Sequence, residues 1–193
     1  MHDRASDEPA AHAAHSSDDP SPWIVRFAPL VPAGARVLDL ASGHGRHARF
    51  FAARDARVLA VDRDASVLDA LRGVTNITTR AIDLEGDVWP LTGERFDAIV
   101  VTNYLHRPGF PALLDALSND GVLLYETFAA GNEAHGRPRN PEFLLQRDEL
   151  AERVRGRLVV VAFEQGRVEG ARIAVVQRLA AVGRDRTWPP ALT

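Results

Sequence analysis

The chain has 193 residues, of which 46% are hydrophobic, room for one α/β domain with a substantial core but not for a dinucleotide domain followed by a separate catalytic one. Its net charge of −3 announces no polyanionic partner, so nucleic acid is not expected to bind. There is no cysteine and all 23 basic residues are arginine, which excludes disulfides, thiolate nucleophiles, cysteine-ligated clusters, Schiff-base lysines and the lysine-bearing phosphate loop.

Residues 1–20 are rich in Ala, Asp, Ser, His and Pro and are expected to be a disordered tail. His12 and His15 in that tail have the residue type for a metal, but a solvated tail accounts for them and no metal is expected. No apolar run reaches membrane-spanning length and no apolar signal core opens the chain, so no membrane partner and a cytoplasmic location are expected. A helix is predicted over Pro22 to Leu30, capped by Ser21, with Trp23, Ile24, Phe27 and Leu30 on its apolar face.

Arg36 to Asp64 then read RVLDLASGHGRHARFFAARDARVLAVDRD. The pattern gives a strand over Val37–Leu40, a glycine turn, a helix over Arg46–Arg54 and a strand over Val58–Asp62. Asp39 and Asp62 stand at the carboxyl ends of the two strands, flanking Gly43 and Gly45, an arrangement suited to a ribose at a sheet edge. A dinucleotide and S-adenosylmethionine both use such an element. Asp39 would repel a pyrophosphate on the helix terminus, whereas a phosphate-free cofactor with a methionine ammonium accommodates it.

Strand and helix signals go on alternating. Strands are predicted over Thr78–Ile82, Ala98–Thr102 and Val122–Thr127, and helices over Ala65–Leu71 and Phe110–Leu117. Two apolar strands, Leu158–Phe163 and Arg172–Leu179, follow as a hairpin around Gly166–Gly170. The fold class is therefore α/β: a single doubly wound, Rossmann-like sheet of seven mostly parallel strands with a C-terminal antiparallel hairpin. One domain over residues 21–183 and a tail over 184–193 are expected.

From about Val37 onward the chain resembles the class I S-adenosylmethionine-dependent methyltransferase family, whose first motif is an acidic residue followed by a glycine-rich turn. Here the turn reads Asp39-Leu40-Ala41-Ser42-Gly43-His44-Gly45, with Ala41 at the first glycine position, a departure that bears on affinity more than on fold. The resemblance implies that Asp39, Ala41, Gly43 and Gly45 line the methionine end. It also implies that Asp62 accepts both ribose hydroxyls with Arg63 beside it, Asp83 accepts the adenine amino group, and the Leu84 amide meets a ring nitrogen. The alternative for Asp83 is a cap on the turn toward Gly86 and Trp89.

Methyl transfer is expected at the end of the fourth strand, beside the topological switch point. The sequence there is Asn103-Tyr104-Leu105-His106-Arg107, without the proline pair common in nucleic-acid amino methyltransferases. Asn103 is a cofactor candidate, Tyr104 a candidate for holding sulfonium or substrate, and His106 either a base or a loop hydrogen-bonding group. After the fifth strand, Glu126, Asn132, His135, Arg137 and Arg139 lie in a long polar segment read as a substrate loop, so Tyr104, Arg107, Glu126, Asn132 and Arg137 are the substrate candidates. The Tyr-His-Arg turn with this glutamate-bearing loop is similar to small bacterial tellurite-resistance-type methyltransferases; tellurite is not carried over as substrate. Arg147, Arg153, Arg155 and Arg157, interleaved with Asp148, Glu149 and Glu152, read as a solvated helix with internal ion pairs. The expected activity is in-line methyl transfer from S-adenosylmethionine to a small-molecule nucleophile. The rivals are an RNA (tRNA or rRNA) methyltransferase and a non-catalytic S-adenosylmethionine-binding module. The oligomeric state is left open.

Overall fold

A computed structural model describes residues 19–86, 88–169 and 173–192. The expected N-terminal tail with His12 and His15, and the predicted start of the last strand at Arg172, lie outside these residues apart from Asp19 and Pro20.

Helix α1 (Pro22–Phe27) starts where the Ser21 hydroxyl accepts the Trp23 amide and Pro22 presets the first turn; it buries Trp23, Ile24 and Phe27 and ends in a 3₁₀ turn over Ala28–Leu30. The remaining elements are β1 (Arg36–Leu40), α2 (Arg46–Ala52), β2 (Arg57–Asp62), α3 (Ala65–Leu68), β3 (Ile77–Ala81), β4 (Phe96–Thr102), α4 (Phe110–Asp115), β5 (Leu117–Phe128), α5 (Glu149–Val154), β6 (Leu158–Val168) and β7 (Ala174–Gly183). The strands form one seven-stranded sheet in the order β3-β2-β1-β4-β5-β7-β6. β1 to β5 pair in parallel, and β7 runs antiparallel between β5 and β6. The chain order reverses between β1 and β4, which puts the crevice of a doubly wound sheet at their carboxyl ends.

Both faces of the sheet are covered. On one face, Trp23, Phe27, Ala48, Phe51 and Leu68 from α1 to α3 pack on Val37, Val58, Val100 and Leu124. On the other, Phe110, Leu113, Leu150 and Val154 from α4 and α5 pack on Leu38, Ile99, Leu123 and Leu179. Among the described residues no regular helix joins β3 to β4. Residues 82–86 and 88–95 contain turns, Leu84 and Leu91 from them plug the second core, and Thr78 and Arg80 of β3 are exposed. Beyond the predicted domain end, Arg186 donates to the Leu30 and Asp120 carbonyls, tying the chain there to the body. Among the described residues no helix is long and apolar enough to cross a membrane.

Candidate active site

Two neighbouring strands end in backbone that L-residues seldom adopt. Ala41, directly after β1, has φ +53°, and Asn103, directly after β4, has φ +56°. Asn tolerates this region, but alanine there costs about 1–2 kcal/mol. Such conformations persist where the surroundings over-determine them, typically at functional sites. Gly43 and Gly45 are left-handed as well, and a Cβ on Gly45 would fall 2.4 Å from the Leu71 side chain. The turn is held from β2: the Gly43 amide donates to Asp62 Oδ2 at 2.9 Å, the Asp64 amide to Oδ1 at 3.0 Å, and the Ser42 amide to the Val61 carbonyl.

Asp39 lies beneath this turn with 1% exposure. Burial is the main cause that pushes its carboxyl up to about 8, and the Asp62 charge adds to it, against a hydrogen bond from Ala48 and the charge of Arg46. Among the described residues, five buried side-chain polar atoms have no hydrogen-bond partner of ordinary geometry: Asp39 Oδ2, Ser42 Oγ, Trp89 Nε1, Tyr104 Oη, which lies toward Glu85, and Arg178 Nε. Arg178 Nε nevertheless faces Glu126 Oε2 at 2.8 Å as an ion pair. The other four belong to the carboxyl end of β1, the turn after it and the segments that follow β3 and β4. Buried polar groups are ordinarily satisfied, so orphans gathered at a switch point fit a bound polar ligand. Their chemistry, a buried carboxyl, two hydroxyls and an indole N–H, suits S-adenosylmethionine better than a pyrophosphate, which the Asp39 and Asp62 carboxyls would repel.

Next to the turn, buried His47 on α2 is held neutral: burial chiefly, with help from Arg46, pushes it down to about 3. Its Nε2 accepts the Ser21 amide at 3.1 Å, which assigns the proton to Nδ1, 3.4 Å from the Thr102 hydroxyl. Ser21 Oγ also donates to Glu126 at 3.0 Å, so the start of α1, α2, β4 and β5 meet at one polar junction.

Asp39, Ala41, Gly43, Gly45 and Asp62 lie in and beside the turn after β1, and Asn103 ends the neighbouring strand β4. Tyr104, expected beside the sulfonium, directs its hydroxyl toward Glu85, Asp83 and Arg63, and its ring packs against the second core. Burial and these two carboxylates raise its pKa further above the phenol range. Asp83 Oδ1 accepts the Glu85 amide at 2.9 Å, the turn-capping arrangement, while the Leu84 side chain is buried beneath it. The His106 ring packs on Gly109, where a Cβ would sit 2.9 Å away, and makes no hydrogen bond among the described residues.

Arg107 is committed elsewhere. Its guanidinium donates twice to Glu149, at 2.8 Å each, and to the Glu142 and Leu144 carbonyls. Glu149 also takes Arg153; burial opposes ionisation, but Arg107, the Gln146 amide and Arg153 prevail and bring its carboxyl down to about 2. Arg107 thus clamps the segment after β5 to the end of β4, and Glu149 faces inward from a helix read as solvated. Asn132 is buried and holds the same segment by accepting the Val175 amide and donating to the Pro138 carbonyl. Arg137, Arg139 and His135 are exposed on it.

Sequence reasoning passed over Ser42, Arg46, His47, Trp89, Thr102, Arg178 and Glu149 as site components. Arg46, the first residue of α2, is the one with a local signal, since a cation there faces Asp39 and makes no ion pair among the described residues. The others are brought in by packing between distant segments.

The methyltransferase domain family matches residues 37–119. No curated protein matches. Among solved structures, TehB from Haemophilus influenzae superimposes with a TM-score of 0.71 at 19% identity, covering 83% of this chain and 61% of that one, so this chain spans less than two thirds of that protein. A TehB-like S-adenosylmethionine-dependent methyltransferase from Corynebacterium glutamicum gives 0.60 at 21% identity over 84% and 87%. The 1,6-didemethyltoxoflavin-N1-methyltransferase of Burkholderia thailandensis, solved with 1,6-didemethyltoxoflavin and S-adenosylhomocysteine, gives 0.62 at 22% over 84% and 76%. Residues 37–119 thus match a methyltransferase domain, and the strand order is that of the class I, S-adenosylmethionine-dependent methyltransferase fold.

Proposed function

We propose that the protein transfers a methyl group from S-adenosylmethionine to a nucleophile on a small molecule, bound between the carboxyl ends of β4 and β5. The observation that carries this reading is the set of orphaned buried atoms on Asp39, Ser42, Trp89 and Tyr104 around a left-handed turn. In it, Asp39 and Arg46 take the ammonium and carboxylate of the methionine end, and Asp62, already fixed by two amides, accepts the ribose hydroxyls. Tyr104 and the Asp83–Leu84 turn border the purine with Arg63 at the rim. The cofactor supplies a methyl group on sulfonium, whose departure as a neutral thioether needs no acid.

The protein's own share is positioning and exclusion of water. Asn103, fixed by its amide to the Glu126 carbonyl, sets the end of β4. Arg107, Glu149 and Asn132 hold the loop over it, and Arg137 offers an exposed cation to an anionic acceptor. His106, with no internal hydrogen bond, is available to take a proton where the nucleophile must lose one. The small-molecule acceptor of the Burkholderia protein supports this substrate class. RNA is disfavoured because Arg153, Arg155 and Arg157 are each engaged in an ion pair, with Glu149, Glu152 and Asp115.

Calorimetry with S-adenosylhomocysteine, NAD and NADP tests the cofactor, with binding expected only for the first and sharply weakened in Asp62→Ala. Release of S-adenosylhomocysteine in the presence of small thiols, amines and hydroxyl compounds tests the activity. Binding of NAD, or cofactor binding without turnover on any acceptor, would overturn the reading.

A further inference from the structure

At the opposite end of β1 and β2 from the cofactor crevice, a cleft of about 350 Å³ opens beside the exposed Thr78 and Arg80 of β3. Arg36, Arg57, Asn76, Thr78 and Arg80 line it, with Leu59 on its floor. Arg36 and Arg57 are direct register partners on adjacent strands, an arrangement that destabilises a sheet when nothing negative lies between the two cations. Among the described residues, the carboxylate that pairs with these side chains is Glu94. It pairs with Arg36 through one oxygen and with Arg80 at 2.5 Å through the other, and its side chain is 22% exposed. Arg57 is exposed and makes only a long 3.4 Å contact to the Gly34 carbonyl. Three guanidinium groups therefore share one carboxylate, and the cation without one faces the opening.

We propose that this cleft binds a phosphomonoester of about nucleotide size, its phosphate held between Arg57 and the Arg36–Arg80 pair. Guanidinium forks match phosphate oxygens in pairs, Asn76 and Thr78 add neutral polar groups, and Leu59 gives the rest of the ligand an apolar floor. The volume lies in the range of small-ligand sites. From Arg57 to Asp62 is five residues along β2, about 16 Å at the strand rise, so the cleft is separate from the crevice. Glu94 occupies two of the three cations and is an internal competitor of the ligand.

The test is calorimetric titration of the full chain with adenosine 5′-monophosphate and with inorganic pyrophosphate, in low and physiological salt. One-site saturable binding is expected, weakened at least tenfold in Arg57→Ala and strengthened severalfold in Glu94→Gln. S-adenosylhomocysteine affinity should be the same in wild type and Arg57→Ala, which also reports that the variant is folded. Absence of saturable binding, or equal affinity in wild type and Arg57→Ala, would overturn the proposal. So would affinity that grows with length along a polyphosphate or oligonucleotide series, which is the behaviour of an unselective cationic surface.

Discussion

Replacing Asp39 by Asn should make the protein more stable and a poorer binder, and the effect should have a particular pH signature. The Asp39 carboxyl sits at about 8 in the fold against an ordinary value of 3.8. A raised carboxyl pKa means that the unfolded chain releases its proton first, so stability is lost as pH climbs from 3.8 toward 8. His47 acts in the reverse sense. Its pKa of about 3 against 6.5 leaves stability intact above 6.5 and removes it as pH falls toward 3. The two slopes oppose each other between pH 4 and 6.5, and only the Asp39 slope remains from 6.5 to 8. Across that window the wild type should lose about 1.5 kcal/mol, since each unit is worth ~1.4 kcal/mol and titration begins to level near 8. For a chain of this size that is roughly 3–6 °C in Tm. Urea or thermal unfolding of wild type and Asp39→Asn at half-unit steps is the assay, with the variant flat where the wild type falls. Calorimetry at pH 7 in buffers of different ionisation enthalpy should also show nearly one proton released per S-adenosylhomocysteine bound by the wild type, because the methionine ammonium favours the ionised carboxylate. Parallel stability curves from pH 6.5 to 8 would refute the assignment of Asp39 as a buried acid.

Below pH 6.5 the variants should tilt in opposite directions: Asp39→Asn loses stability toward acid, whereas His47→Gln gains it down to about pH 4, both read from the same unfolding series. Ala41→Gly relieves a left-handed alanine at the cost of a freer unfolded chain, for a net gain of up to about 1 kcal/mol in urea unfolding, and it should tighten S-adenosylhomocysteine binding. Glu149→Ala leaves Arg107 and Arg153 without their carboxylate, which costs about 1–2 kcal/mol given their partial exposure. On the proposed function, in which the released segment borders the acceptor and not the cofactor, KM for the acceptor should rise more than Kd for S-adenosylhomocysteine, a split that steady-state kinetics beside calorimetry resolves.

The strands β1, β2, β4 and the glycine turn were legible because each joins a run of apolar residues to a breaker at its end, as in Val37–Leu40 before Ala41-Ser42-Gly43. The long reach of β5, from Leu117, was not, because Ser118-Asn119-Asp120-Gly121 reads as a turn; the structure closes β5 there against Gly183, where a Cβ would meet the Asn119 carbonyl at 1.9 Å. Arg107 shows the same limit at the site. Its sequence neighbours mark it for substrate, yet a glutamate 42 residues away claims its guanidinium.

The sequence alone determined the order of the elements, the acidic tips of β1 and β2, and the turn between them, because these depend on periodicity and on residues within one strand–turn–helix unit. Only the tertiary structure decided the protonation of Asp39 and His47, the direction of the Tyr104 hydroxyl, and the division of the arginines among Glu94, Glu149 and open solvent. Burial and charge pairing are properties of what surrounds a side chain, and those surroundings arrive from segments dozens of residues away.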